Sequence, residues 1–111
     1  MLKKRLLFVC TGNVDRSPTA EAMFGNAEHF ETKSAGTSFA ATTRITKELI
    51  DWADMIFVME EKHKLALAEI DSSSCAKIRV LDIPDIFYRD QPELKQLLLD
   101  KIQPYLAELN S

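Results

Sequence analysis

Cysteine is scarce here: Cys10 and Cys75 are the two in 111 residues. With no secretory leader ahead of them, they argue against a disulfide framework and for a reducing compartment, so the expected location is the cytoplasm. Basic charge is also in short supply. The formal net charge is −3 and no dense basic stripe appears, so nothing suggests nucleic acid as a partner. Lys3-Lys4-Arg5 reads as a solvated approach to the first strand rather than a targeting signal. Long apolar runs are missing too. Leu6 to Cys10 is far too short for a signal-peptide core or a membrane span, so no membrane partner is expected. No His/Cys/Asp cluster has metal-ligand spacing, and neither a metal nor another cofactor is implied. Repeats, low-complexity tracts and linkers are absent as well. The expectation is one domain over residues 1–111, with 46% hydrophobic residues to build its core.

What is present alternates between strand and helix patterns. Leu6 to Cys10 reads as a strand, and Pro18 to about Ala27 as a helix with Ala20, Met23, Phe24 and Ala27 on one face. Glu31 to Ala35 is short and mostly polar, which suits a sheet edge. Ile45, Leu49, Trp52 and Ala53 repeat at helical spacing before an apolar strand, Met55 to Met59. A helix over Glu61 to Ile70, a turn at Ser72-Ser73-Ser74 and a strand Lys77 to Leu81 follow. The final helix begins at Asp90-Gln91-Pro92 and carries Leu94, Leu97, Leu98, Ile102, Tyr105 and Leu109 on one face, with Pro104 expected to kink or shorten its end. This order predicts an α/β three-layer sandwich with a four-stranded parallel sheet, order 2-1-3-4. Ligands in such sheets sit beyond the carboxyl ends of the strands, where the strand order reverses.

The loop after the first strand lies at that place. Cys10 and Arg16 bracket Thr11, Gly12, Asn13, Val14 and Asp15, and Ser17-Pro18 follows as N-cap and first helical position. Backbone amides and a helix amino end together surround a phosphate well, because both favour an anion. Gly12 and Asn13 tolerate the backbone angles that a tight anion nest needs. Arg16 adds a planar fork of donors matched to phosphate oxygens. The same positive surroundings favour the thiolate of Cys10 as a nucleophile. A cysteine ending a strand is often only a small core residue; the surrounding pattern argues for chemistry.

A cysteine attacking a phosphate monoester needs a proton for the departing oxygen. Cys10 has no loop upstream to supply it, so the acid is expected downstream. Leu81 to Asp90 is the aspartate-rich loop in such a position, with Asp82, Asp85 and Asp90 as carboxylates and Phe87 and Tyr88 placed to contact an aromatic substrate.

Four stretches carry a resemblance: Cys10 to Pro18, Ser34-Ala35-Gly36-Thr37-Ser38, Phe57-Val58-Met59-Glu60 and Pro84-Asp85-Ile86-Phe87-Tyr88. In this order they resemble the low-molecular-weight protein tyrosine phosphatases, with the phosphatase I-like fold, and in particular a short bacterial branch. The resemblance implies a phosphocysteine at Cys10, with Arg16 binding phosphate and stabilising the transition state. It implies that Ser17 stabilises the thiolate, that Asn13 holds the loop and that Asp85 is the acid. Phosphorylated protein or aryl phosphate is the implied substrate and inorganic phosphate the product. The chain departs from the family pattern at Asp15, where a second cysteine often stands, and at Ile86, where a proline follows the acid. The stretch Ser38 to Thr46 is shorter than the corresponding rim of larger members.

Asp82 remains an alternative acid. Asp90 suits an N-cap or first-turn role, His29 and His63 suit the surface, and Trp52 suits the core. Cys75 suits a small surface or half-buried residue; as a resolving thiol it would instead indicate a thiol-linked arsenate reductase. A non-catalytic phosphate or phosphopeptide binder is the third reading.

Overall fold

The computed structural model describes residues 3–109. Four parallel strands form one sheet: β1 (Lys4–Cys10), β2 (Phe30–Gly36), β3 (Met55–Val58) and β4 (Ile78–Val80). Their order is β2-β1-β3-β4, as the alternation predicts. The helices are α1 (Arg16–Gly25), α2 (Lys47–Trp52), α3 (Glu61–Ile70) and α4 (Pro92–Leu109), with a 3-10 segment, Ser72–Lys77, before β4.

Sheet geometry explains why β1 is apolar almost throughout. Successive side chains point to opposite faces, and a central strand covered by helices must bury both sets. Leu6, Phe8 and Cys10 join Phe24 of α1, Phe57 of β3 and Leu94, Leu98 and Ile102 of α4. Leu7 and Val9 join Ile50 of α2, Ile56 and Val58 of β3 and Leu67 of α3. Phe8 stacks between Phe24 and Phe57, with ring centroids 5.9 and 5.6 Å away. Burying each such side chain stabilises the fold by about 1.5–3 kcal/mol, so these two layers hold β1 firmly.

Three details differ from the sequence expectations. First, α1 begins at Arg16 with Asp15 as its N-cap, so Ser17 lies within the first turn and is not the cap. Second, α4 starts at Pro92 and runs through Pro104 to Leu109, so the proline does not shorten it. Asp90 lies outside the helix in the left-handed region, at φ 62°. Third, His63 is fully buried, not on the surface. Trp52 is half-buried at the edge of the core, with Lys33 Nζ 4.6 Å from its ring centroid.

All strands are parallel, so the loops after β1, β3 and β4 meet at one end of the sheet. Cys75 precedes β4 and lies toward the opposite end from Cys10. That separation disfavours a resolving role for Cys75.

Candidate active site

Cys10 is the last residue of β1, buried and with a free thiol. The chain then closes a tight loop and enters α1. Asn13 takes φ 55°, left-handed backbone that asparagine tolerates better than most residues. The carbonyls of Cys10, Thr11 and Gly12 accept the N–H groups of Thr37, Ser38 and Thr42 at 3.0, 3.0 and 3.1 Å. A loop whose carbonyls are drawn outward turns its amides inward. Asn13 N–H accordingly donates to Cys10 Sγ at 3.2 Å.

This packing leaves no space beside Gly36. A Cβ there would stand 2.5 Å from the Thr11 carbonyl, 2.7 Å from Ala41 Cβ and 2.9 Å from Asn13 N. The glycine is what allows β2 and the following loop to support the first loop so closely.

Donor directions around the sulfur follow from one fixed point. Thr43 N–H can only donate, and it meets Asn13 Oδ1 at 3.2 Å. Asn13 Nδ2 therefore faces Ser17 Oγ and Ser34 Oγ, each at 2.9 Å, and donates to both. Ser34 passes its hydroxyl proton to Glu21 Oε1 at 2.6 Å. Ser17, having accepted from Asn13, keeps one proton to give. Cys10 Sγ at 3.0 Å is nearer than the Ala35 carbonyl at 3.4 Å. Two donors thus converge on the sulfur.

Arg16 is 2% exposed and held along one edge. Its Nη1 reaches Glu60 Oε2 at 2.6 Å and the Ile83 carbonyl at 2.7 Å, while Nε lies 3.8 Å from Asp85 Oδ1. The hydrogen bond from Arg16 is the main reason that the Glu60 carboxyl is held below its ordinary range.

Behind the loop, His63 joins two segments. Its Nδ1 accepts the Glu60 N–H at 3.0 Å, so Nε2 carries the proton and donates to Thr11 Oγ1 at 2.9 Å. Burial first, and the Arg16 charge second, push this imidazole down to about 4, so it is neutral at physiological pH.

These residues surround a cavity of about 340 Å³ lined by Cys10, Thr11, Gly12, Val14, Asp15, Arg16 and Asp85. Among the sequence-predicted residues, Asn13 and Ser17 lie buried beneath it. Asp82, at φ 56°, is exposed and outside the lining. Phe87 is half-buried against the core and Tyr88 is exposed; neither lines the cavity. The sequence reading gave Glu60 and His63 no part in this site. The available signal was position: both follow β3 at the sheet's carboxyl end.

Comparison with known proteins agrees with this geometry. The family model described as low molecular weight phosphotyrosine protein phosphatase matches residues 5–52, which include the whole Cys10–Arg16 loop. Over that stretch the chain is similar to this family. A protein-arginine-phosphatase of Geobacillus stearothermophilus is 36% identical over 90 residues, taking in 59% of this chain and 60% of that relative's length. The solved arginine phosphatase from the same organism superposes with a TM-score of 0.72 at 28% identity, covering 95% of this chain and 94% of the other. The low molecular weight protein tyrosine phosphatase of Streptococcus pyogenes gives a TM-score of 0.81 at 24% identity, covering 97% and 94%. The proteins this chain is similar to thus include an arginine phosphatase and, by fold, a tyrosine phosphatase. No helix among the described residues is long and apolar enough to cross a membrane.

Proposed function

We propose that this chain is a cysteine-dependent protein phosphatase of that family, acting through a phosphocysteine on Cys10. The observation that carries this reading is the convergence of Asn13 N–H and the Ser17 hydroxyl on Cys10 Sγ, below a cavity lined by Arg16 and Asp85.

In the first step the Cys10 thiolate attacks phosphorus in line with the ester bond. The S–P bond forms as the P–O bond breaks, and its electron pair leaves on the ester oxygen. Asp85, as the neutral acid, gives that oxygen its proton. Loop amides and the Arg16 guanidinium hold the phosphoryl oxygens, where charge accumulates. In the second step water attacks phosphorus, and the Asp85 carboxylate takes its proton. The S–P bond breaks, phosphate departs and the thiolate returns, held again by Ser17 and Asn13.

The substrate class proposed is a phosphorylated protein, with phosphotyrosine as first choice. The 36% identity to a relative named as a protein-arginine-phosphatase supports a second reading, phosphoarginine. The same steps would then break a P–N bond, with Asp85 protonating nitrogen. A nucleophilic thiol with no second cysteine in its loop fits the cytoplasm, which keeps thiols reduced. Non-catalytic phosphate binding and arsenate reduction are the outcomes this proposal opposes.

The test is aryl-phosphate and phosphoarginine turnover against pH. Cys10→Ser is expected to abolish both activities. Asp85→Asn is expected to lower kcat by about 10²-fold and to remove the basic limb of the profile, with Asp82→Asn close to wild type. Full turnover by Cys10→Ser would reject the mechanism. Loss of the basic limb in Asp82→Asn alone would move the acid to Asp82.

A further inference from the structure

Asp15 lines the cavity, yet the reaction proposed above gives it no step. Its contacts point away from the sulfur. Asp15 Oδ1 accepts the backbone N–H of Arg89 at 2.9 Å. The next amide, that of Asp90, is received by Thr19 Oγ1 at 2.9 Å. Thr19 in turn donates its hydroxyl to the Asp15 carbonyl at 2.7 Å. Two successive amides of the loop between β4 and α4 are therefore both held by the start of α1.

That loop carries Asp85; Leu81 and Ile83 at its start are buried and Phe87 packs on the core, but the residues flanking Asp85 do not. Asp85 has a side chain 62% exposed, and Ile86 and Tyr88 are exposed as well. One end of the segment is fixed where the Ile83 N–H meets the Met59 carbonyl at 2.8 Å. The other is fixed at Arg89 and Asp90, where Asp90 adopts left-handed backbone at φ 62°. An exposed acid strung between two anchors is placed by those anchors.

We infer that Asp15 is a positioning residue for the general acid: its carboxylate latches the Asp85-bearing loop to the phosphate loop. It does so through backbone amides, so it sets where Asp85 stands without taking or giving a proton. A carboxylate suits this task because a hydrogen bond to an ionised acceptor is stronger than one to a neutral group. A thiol, a weak acceptor, would hold the same amide poorly. The Asp15 charge is also drawn toward the Arg89 amide rather than left facing a bound phosphate.

This inference rests on Asp85 being the acid, and one experiment separates the two ideas. The ratio of kcat/KM for nitrophenyl phosphate to that for phenyl phosphate measures need for an acid, since the phenolate of the second leaves poorly unaided. Asp85→Asn should widen the ratio. Asp15→Ala should widen it by about tenfold while lowering nitrophenyl phosphate turnover much less. Thr19→Val, which removes the other anchor at nearly constant shape, should widen it in the same direction. Asp15→Asn keeps an oxygen acceptor for the Arg89 amide and should recover most of the wild-type ratio. Thermal melts confirm that each variant is folded, and Thr19→Val tests the latch even if Asp15→Ala is not. A wild-type ratio in Asp15→Ala or Thr19→Val, alongside a widened one in Asp85→Asn, would overturn the latch. A ratio in Asp15→Asn as wide as in Asp15→Ala would overturn it too, since an oxygen acceptor for the Arg89 amide would then not restore the position of Asp85. An unchanged ratio in Asp85→Asn would instead reject the acid assignment, and the latch with it.

Discussion

Arg16 Nη1 lies 2.6 Å from Glu60 Oε2, joining the start of α1 to the residue just after β3. The same nitrogen serves the Ile83 carbonyl, while Nε faces Asp85 Oδ1 at 3.8 Å, so the guanidinium is oriented by the scaffold through Nη1. A buried cation that loses its partner is costly, commonly about 3–5 kcal/mol. Glu60 is partly exposed and water would replace some of the interaction, so Glu60→Ala should destabilise by only about 1–2 kcal/mol. Phosphate inhibition should weaken by about tenfold as the fork loses its fixed orientation. Isothermal denaturation and phosphate competition check both values. The acid dependence has a definite sign. The Glu60 carboxyl is depressed, so its stabilisation is present above the unfolded carboxylate range and is lost as pH falls through the folded value.

His63 gives a second pH effect in a different window. Unfolded, an imidazole gains its proton near pH 6.5; here it stays neutral down to about 4. Between those values the unfolded chain binds more protons, so stability falls as pH drops from 6.5 toward 4. The full effect is about 3 kcal/mol. Denaturant unfolding at pH 7 and pH 4.5 should show this slope in wild type and a much smaller one in His63→Asn. Equal slopes in the two proteins would remove His63 as its source.

Asn13 combines a backbone and a side-chain role. Asn13→Ala strands the Ser17 and Ser34 hydroxyls and forces alanine into left-handed backbone. It should cost about 2–4 kcal/mol in urea titrations. Asn13→Gly relieves the backbone alone and should be about 1 kcal/mol less damaging. If the two variants are equally stable, the left-handed conformation is not a significant part of the cost.

Gly36→Ala should lower kcat/KM by at least about 10²-fold, because the new methyl must displace the Thr11 carbonyl and the Asn13 amide. Neither neighbour is the free end of a flexible side chain. Near-wild-type kinetics in this variant would show that the loop can shift without harm.

The layers of the fold were legible because a buried central strand and amphipathic helices leave different periods in the sequence. The Cys10–Arg16 loop was legible because its chemistry is local along the chain. The partners that orient it were not. Glu60 lies 44 residues from Arg16, His63 lies 52 from Thr11, and Arg89 lies 74 from Asp15. No sequence period links such pairs; only the parallel topology brings those strand ends together. Ser17 misled for a physical reason. A serine before proline resembles a helix cap, but here the helix starts two residues earlier, at Arg16, and the hydroxyl turns to the sulfur. His63 misled because its polar neighbours in sequence, Lys62 and Lys64, gave no sign that the ring itself points inward.

During turnover Cys10 Sγ is expected to carry the phosphoryl group. Acid-quenching the enzyme in mid-turnover with an aryl phosphate, followed by peptide mass analysis, measures this directly. The expected result is the mass of one phosphoryl group on the peptide containing Cys10, absent from Cys10→Ser, and accumulating further where breakdown of the intermediate is slowed in Asp85→Asn. Turnover at the wild-type rate with no phosphorylated Cys10 peptide at any quench time would contradict the account.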